Sequence, residues 1–465
     1  MNLTSKGLLL IPLLALTACS SVWASGPTCR HTPIAVSNPG EQPSSPVAKL
    51  GRLGFVRDGD VWVQDLTLRS EQNLTHDGHS GFPRWSASGA WIGIGTQMST
   101  AGVGGSANEQ VVSMRWDGSE RNVIGTGSIA DVASAVWSPT GDRIAFIEAD
   151  HGVVINADGS ARVELANATS LAWSPDGAWL AYVKFERLQL GQDARRPFPH
   201  RVSIWRVRAD GTDEHLVLDG GVPSPDFIEV AGWSPDRAEI LFWRNTGFSG
   251  SVWADGSALA AVPVGGGPPT VIVPKMLAYP DFMDWAPDSQ HLALVQGSYR
   301  STWFRKSIAV GDLGAPLQKV SPDDYADLFP SWSPDGQWLA YATAPAIITD
   351  GGNDARAASS ERRVALMRAD GTDRHLLTNT PGLQDERPRW SRDGHTLLFT
   401  RVVGGQQAQL WLIDTDGTSP RMVADNLDVQ AATGLPAAAD PAWFGYYGYL
   451  HWSRMYDWWQ PVGVP

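Results

Sequence analysis

A tryptophan followed at once by a tight turn recurs along most of this chain. It appears at Trp85 (WSASG), Trp137 (WSPTG), Trp173 (WSPDG), Trp233 (WSPDR), Trp285 (WAPDS), Trp332 (WSPDG) and Trp390 (WSRDG). An eighth, Trp443, ends a Pro-Ala-Trp tripeptide and lacks the turn. The spacing varies: 36 residues separate Trp137 from Trp173, and 60 separate Trp173 from Trp233. What repeats is therefore a unit with loops of variable length. After each turn comes a short apolar run, such as WIGIG at 91–95, WLAYV at 179–183 or TLLFT at 396–400. A second run follows, such as VSIWRVR at 202–208, then a second turn and a third run. RADGTDEHL at 208–216 and RADGTDRHL at 368–376 are near copies of that last step.

The turn chemistry is legible. In Ser-Pro-Asp-Gly, Pro presets φ, Asp bonds its own backbone and Gly takes the positive φ. Asp-Gly in the second turn suits a two-residue hairpin. Each unit reads as four short antiparallel strands, A to D, with Trp at the end of A. One such sheet cannot bury both faces, and radial stacking solves that. The predicted fold is all-β: a β-propeller of four-stranded antiparallel blades. Residues 53–56, 61–65 and 72–75 supply strands B, C and D without an A, and the segment around Trp443 supplies an A without its turn. Pairing of the N- and C-terminal strands then closes the ring and removes free edges. The count is eight blades, with seven as the alternative.

The WSPDG-strand-strand-DG unit resembles the TolB-type propeller repeat of bacterial envelope proteins and of prolyl oligopeptidase-type enzymes. The resemblance covers residues 50–445. It implies a fold rather than an activity, because propellers host many unrelated functions.

Of 465 residues, 43% are hydrophobic and 18% charged, with a net charge of −13. An acidic chain offers no electrostatic footprint for nucleic acid and is repelled by anionic membranes unless tethered. The only two Cys, Cys19 and Cys29, rule out a disulfide-built core and a Cys-based zinc site. Residues 7–16 form an apolar run of signal-peptide length that ends in Leu-Thr-Ala-Cys19. This resembles the lipobox of bacterial lipoproteins, and the resemblance implies cleavage before an acylated Cys19 and membrane attachment through the lipid. Cleavage after Ala24 is the alternative. The expected domains are a signal peptide at 1–19, a Ser/Pro/Gly-rich tether at 20–48, the propeller at 49–445 and an aromatic tail at 446–465. The expected location is outside the cytoplasm, facing the periplasm or the cell exterior.

In a blade of this kind the A–B and C–D turns share one face, and the B–C and D–A connections share the other. The first set is uniformly short. The B–C connections at 96–109, 184–201 and 343–362 are long, and one-sided insertions in a repeat protein point to a binding face. The D–A connections on that face carry Asp131, Asp226, Glu229, Asp281, Asp324, Asp327, Asp385, Glu386 and Asp440, which converging strands could gather into a negative funnel. Arg195 and Arg196 are the basic exception, placed to pair with that rim or with an acidic partner. The aromatic tail contributes Tyr446, Tyr447, Trp458 and Trp459, either as packing that plugs the channel or as a stacking platform.

Catalytic signatures are missing: there is no G-x-S-x-G and no H-E-x-x-H. His76 and His79 are too few for a closed metal site. His215 and His375 hold equivalent repeat positions, and Asp176 and Asp335 read as turn formers. The leading expectation is a lipid-anchored envelope scaffold that binds a protein or peptide on the long-loop face, with no cofactor, metal or nucleic acid. The rivals are a carbohydrate-binding or carbohydrate-active protein using the same carboxylates and aromatics, and a metal-dependent lyase built on His76 and His79.

Overall fold

The computed structural model describes residues 50–96, 109–127, 134–187, 200–221, 227–245, 256–297, 299–347, 360–404, 407–428 and 448–462. Among them the regular structure is antiparallel strands with isolated 3-10 turns, and no helix is long and apolar enough to cross a membrane. Six sheets have four strands each, in chain order from the inside outward. The second module is typical: Gly81–Trp85, Trp91–Thr96, Glu109–Arg115 and Asn122–Gly127. The remaining strands make two further four-stranded units, joined where Arg57 pairs with Leu427. One is Gln384–Trp390, Thr396–Val403, Gln407–Asp414 and Arg421–Asp428. The other is Arg52–Arg57, Asp60–Asp65 and Ser70–Asn73, with Tyr456–Trp459 on the inner side of Arg52–Arg57. Eight modules result. Each packs on the next, and the eighth meets the first. The chain forms an eight-bladed propeller closed by its two ends.

The closing strand is not the one expected. Trp443 lies outside the described residues, and the strand that completes module 1 is Tyr456–Trp459, in register Phe55 to Tyr456 through Arg52 to Trp459. Trp458 faces Leu53 as Trp85 faces Ile92 and Trp173 faces Leu180, so Trp458 is the eighth repeat tryptophan.

The repeat has a physical basis at each step. Strand B lies between two strands of its own sheet and between two neighbouring modules. It is accordingly an unbroken apolar run, and Trp91–Thr96 is buried at all six positions. Strand D is the outer edge and carries exposed residues, as in Ser70–Asn73. In the WSPDG turn, Ser174 Oγ donates to Asp176 Oδ1 (2.6 Å) and accepts from Trp179 N–H (2.9 Å), while Gly177 takes φ 65°. Ser333 with Asp335 and Ser391 with Asp393 repeat it. Hydrogen bonding from Ser174, with Arg237 alongside, holds the Asp176 carboxyl down to about 2. The tryptophans join the modules: the indoles of Trp137, Trp173, Trp233 and Trp390 donate to Arg84, Val136, Ala172 and Ser331 carbonyls of the preceding inner strand, at 2.9 to 3.1 Å. A Trp233→Phe chain should keep the packing and lose one such bond. The expected loss is about 1 kcal/mol in urea unfolding, and an unchanged midpoint would show that the indole N–H adds nothing.

Candidate functional site at the channel mouth

Three inner strands share a local distortion. Phe82, Phe329 and Arg387 have φ of 54°, 55° and 49°, each followed by Pro and, two residues later, by the repeat Trp. The strand register slips at each place, between Gly81 and Arg84, Leu328 and Ser331, and Glu386 and Arg389. Two residues fall out of register at each place and one of them is Pro, which has no N–H to leave unpaired at a bulge. Non-Gly residues with positive φ are strained and cluster where function needs an unusual side-chain direction. The x-Pro-x-Trp pattern was visible in the sequence as FPRW, FPSW and RPRW, and it is the signal by which these positions could have been found.

The axis of the ring is filled from one end by residues 448–455. Tyr449 stacks on Tyr279 at 3.6 Å between centroids and meets Phe282 edge-on at 5.6 Å. The Trp452 indole donates to Glu386 Oε2 (2.8 Å), Arg84 donates to the Ser453 carbonyl, and the Arg454 guanidinium lies over Phe82. These partners come from modules 6, 8 and 2, and only the axis brings one short segment against all of them. Gly448, at φ 82°, sits so close to Thr302 and Trp303 that a Cβ would lie 2.5 Å from Thr302 Oγ1. Thr302 belongs to the B–C connection of module 6, so the segment enters from the long-loop end. Burial, reinforced by Arg454, pulls the His451 imidazole down to about 3, which leaves it neutral.

The carboxylates predicted to form an open funnel are largely engaged inside the protein. Asp281 accepts from Arg387 Nε (2.9 Å). Asp327 takes a two-pronged contact from Arg374 (2.6 and 2.9 Å), and Asp385 one from Arg401 (2.7 and 2.9 Å). Glu386 is fully buried against Arg362, Gln384 and Trp452. Arg387 and Arg362 come from different modules than Asp281 and Glu386 respectively, so those pairings could not be read locally, whereas Arg401 faces Asp385 across one hairpin. Carboxylates whose oxygens already accept from these arginines are not free to contact a sugar. Asp324 is exposed, and Glu229 lines a separate cavity of about 390 Å³ with Phe185 and Phe227. The Trp458 and Trp459 indoles donate to Leu50 and Ala87 carbonyls (2.7 and 3.1 Å), which fixes both rings in the wall of a cavity on the turn face. Asp77 Oδ1 accepts the His79 amide in a local turn, and no group of three potential metal ligands occurs among the described residues. Cys19, Asp131, Arg195, Arg196, Asp226, Asp440, Tyr446 and Tyr447 lie outside the described residues, as does most of the three long connections.

The other end of the ring is the face of the WSPDG turns. Two cavities of about 630 and 580 Å³ meet there and share Arg389 and Arg392 in their walls. The larger also takes in Asp281, Asp284, Phe329, Arg387 and four prolines: Pro280, Pro330, Pro334 and Pro388. The smaller adds Trp85, Trp137, Asp457, Trp458 and Trp459. Asp284 and Asp457 precede the repeat Trp of their modules and bind the Trp amide of the next, Trp332 N–H (2.7 Å) and Trp85 N–H (3.0 Å). Burial pushes the Asp284 carboxyl up to about 6, against the pull of Trp332 N–H and Arg389. Because the folded chain holds this proton more tightly, the associated stability is full below about pH 4 and is lost as pH rises through 6. Asp284→Asn should remove that loss, up to about 3 kcal/mol between pH 4 and 7, in urea titrations at both pH values. A slope equal to wild type would refute it.

This mouth suits holding an extended chain: prolines and aromatic rings alternate in its walls with arginines, aspartates and serines that can bond a backbone or a polar side chain. No protein-family model matches the chain. Over 81 residues, 17% of its length, it is 38% identical to the Tol-Pal system protein TolB of Rhizorhabdus wittichii and 33% identical to that of Zymomonas mobilis. These matches span only 16% and 15% of those relatives. In three dimensions it resembles Porphyromonas gingivalis dipeptidyl peptidase 4, with a TM-score of 0.53 at 12% identity over 80% of this chain and 57% of that one. That likeness is one of fold alone. With its Trp-turn repeat, its eight stacked four-stranded sheets and its local identity to these relatives, the chain is a TolB-like β-propeller.

Proposed function

We propose that this protein is a non-enzymatic binding scaffold of the cell envelope, anchored through a lipid on Cys19, that receives a segment of a partner protein at the turn-face mouth of its channel. The observation that carries the reading is the asymmetry of the channel. Its own residues 448–455 occupy the axis from the long-loop end, while two adjoining cavities of about 630 and 580 Å³, walled by prolines, aromatic rings and charged side chains, lie on the turn face. This moves the binding surface from the long-loop face, where the sequence suggested it, to the opposite one. The arginine-bound carboxylates speak for a scaffold and against a glycosidase or lyase. The curated relatives are named for a Tol-Pal system, and membership of a comparable envelope assembly is part of the proposal.

The test is site-specific photocrosslinking in intact cells. A crosslinking residue at Ser331, in the mouth, is expected to capture one discrete protein, and the same probe at Gly351, in the long connection, is not. Capture at 351 alone would place binding on the other face. For the anchor, a Cys19→Ser chain should move from the membrane fraction to the soluble fraction, and retention in the membrane would refute lipidation.

A further inference from the structure

The walls of the mouth contain more hydrogen-bond donors than the protein itself uses. Arg387 is held in a strained backbone conformation. Its Nε is on Asp281, yet its Nη1 is buried without a hydrogen-bond partner among the described residues. A buried guanidinium nitrogen left unpaired is costly, and native structures rarely keep one without a reason. Arg389 reaches only to 3.7 Å from Asp457 and is 41% exposed. The guanidinium of Arg392 is exposed and makes no ion pair among the described residues. Of the acids in the same walls, Asp281 is taken by Arg387, Asp457 lies 3.7 Å from Arg389 while holding the Trp85 amide, and burial favours the uncharged form of Asp284, so Arg392 has no acid of its own among the described residues.

The contrast with the rest of the molecule sharpens this. A chain of net charge −13 repels acidic ligands almost everywhere, so a cluster of underused arginines at the mouth of a low-dielectric channel is where an anion is drawn in. Guanidinium groups bind carboxylates through paired N–H donors, which adds geometric selectivity to the attraction. Four prolines and Phe329 stand beside them among the polar groups of the wall, which suits an acid carried on a peptide with apolar residues rather than a free, fully hydrated ion.

From this geometry we infer that the mouth is a carboxylate-reading site: Arg387, Arg389 and Arg392 hold an acidic side chain or the terminal carboxylate of an extended, otherwise apolar peptide. The inference rests on the scaffold reading and names the chemistry of its partner.

The full chain would be titrated with an alternating Leu-Glu hexapeptide, its Leu-Gln counterpart and inorganic phosphate, following the fluorescence of the tryptophans around the mouth. The Glu peptide should bind saturably, at least tenfold more tightly than the Gln peptide, and more weakly as salt rises. The Arg389→Gln/Arg392→Gln chain, whose substitutions are on the surface, should keep the wild-type circular dichroism and lose at least tenfold in affinity for the Glu peptide. Equal binding of the two peptides, absence of saturable binding, or an unchanged double variant would overturn the inference. So would phosphate that binds as tightly as the Glu peptide, since the site would then take a free oxyanion. If the Ser331 crosslink survives in the double variant, the scaffold reading stands while the carboxylate assignment falls.

Discussion

A Glu386→Ala chain is expected to lose about 3–5 kcal/mol of stability, because it strands a buried arginine. Glu386 is fully buried and accepts from Arg362, from Gln384 Nε2 at 2.6 Å and from the Trp452 indole at 2.8 Å. Arg362, 2% exposed, also donates to the Gly448 carbonyl (2.9 Å) and to Thr302 Oγ1 (2.5 Å). These groups tie four parts of the molecule together: the B–C connection of module 6, Arg362 at the start of strand C of module 7, the inner strand of module 8 and the segment in the axis. Removing the carboxylate leaves a positive charge with neutral partners only, away from water. The size of the effect comes from that uncompensated charge and not from the net worth of the pair. Thermal and urea unfolding of Glu386→Ala measure it, and Glu386→Ala/Arg362→Met should recover part of the loss. A shift below about 1 kcal/mol in the single variant would mean that water reaches Arg362 freely.

Ending the chain after Tyr447 is expected to abolish the native state. Residues 448–462 include Tyr449, Leu450, Trp452, Met455, Tyr456 and Trp458, all buried. At about 2 kcal/mol for each large apolar side chain, their loss is on the order of 10 kcal/mol, as much as the whole stability of a typical domain. The deletion also strips the inner strand from Arg52–Arg57 and exposes Leu53 and Phe55, which form the hydrophobic core of the seam with Trp85 and Leu398. An open sheet edge beside exposed core is a route to aggregation. Size-exclusion chromatography and near-ultraviolet circular dichroism would show the outcome. A soluble monomer with a cooperative transition would mean that a strand near Trp443 closes the ring.

Much of the fold was legible because its information is local. Ser174, Asp176 and Gly177 make their turn within a few residues, and Asp210 captures Thr212 in the next turn in the same way. Strand B shows itself as an unbroken apolar run because neighbouring modules cover both its faces. Trp458 was missed as the eighth repeat tryptophan although it offered one clue: Asp457-Trp458 matches Asp284-Trp285, and both aspartates cap the next module's Trp amide. No turn follows Trp458, and the strand it pairs with lies at the far end of the chain.

The sequence by itself determined the module and its turns and narrowed the count to eight or seven copies with ends that must meet, since the module and turns follow from bonds and periodicities spanning a few residues. Only the tertiary structure decided which C-terminal strand closes the ring, which carboxylates are met by arginines and where the cavities lie. Asp281 and Arg387 are 106 residues apart, and Trp452 and Glu386 are 66 apart. Whether such groups meet depends on how eight modules are arranged around an axis. The chain can express that arrangement only after every module has stacked on its neighbour, because a side chain's charge is balanced by what is near it in space and not by what is near it in sequence.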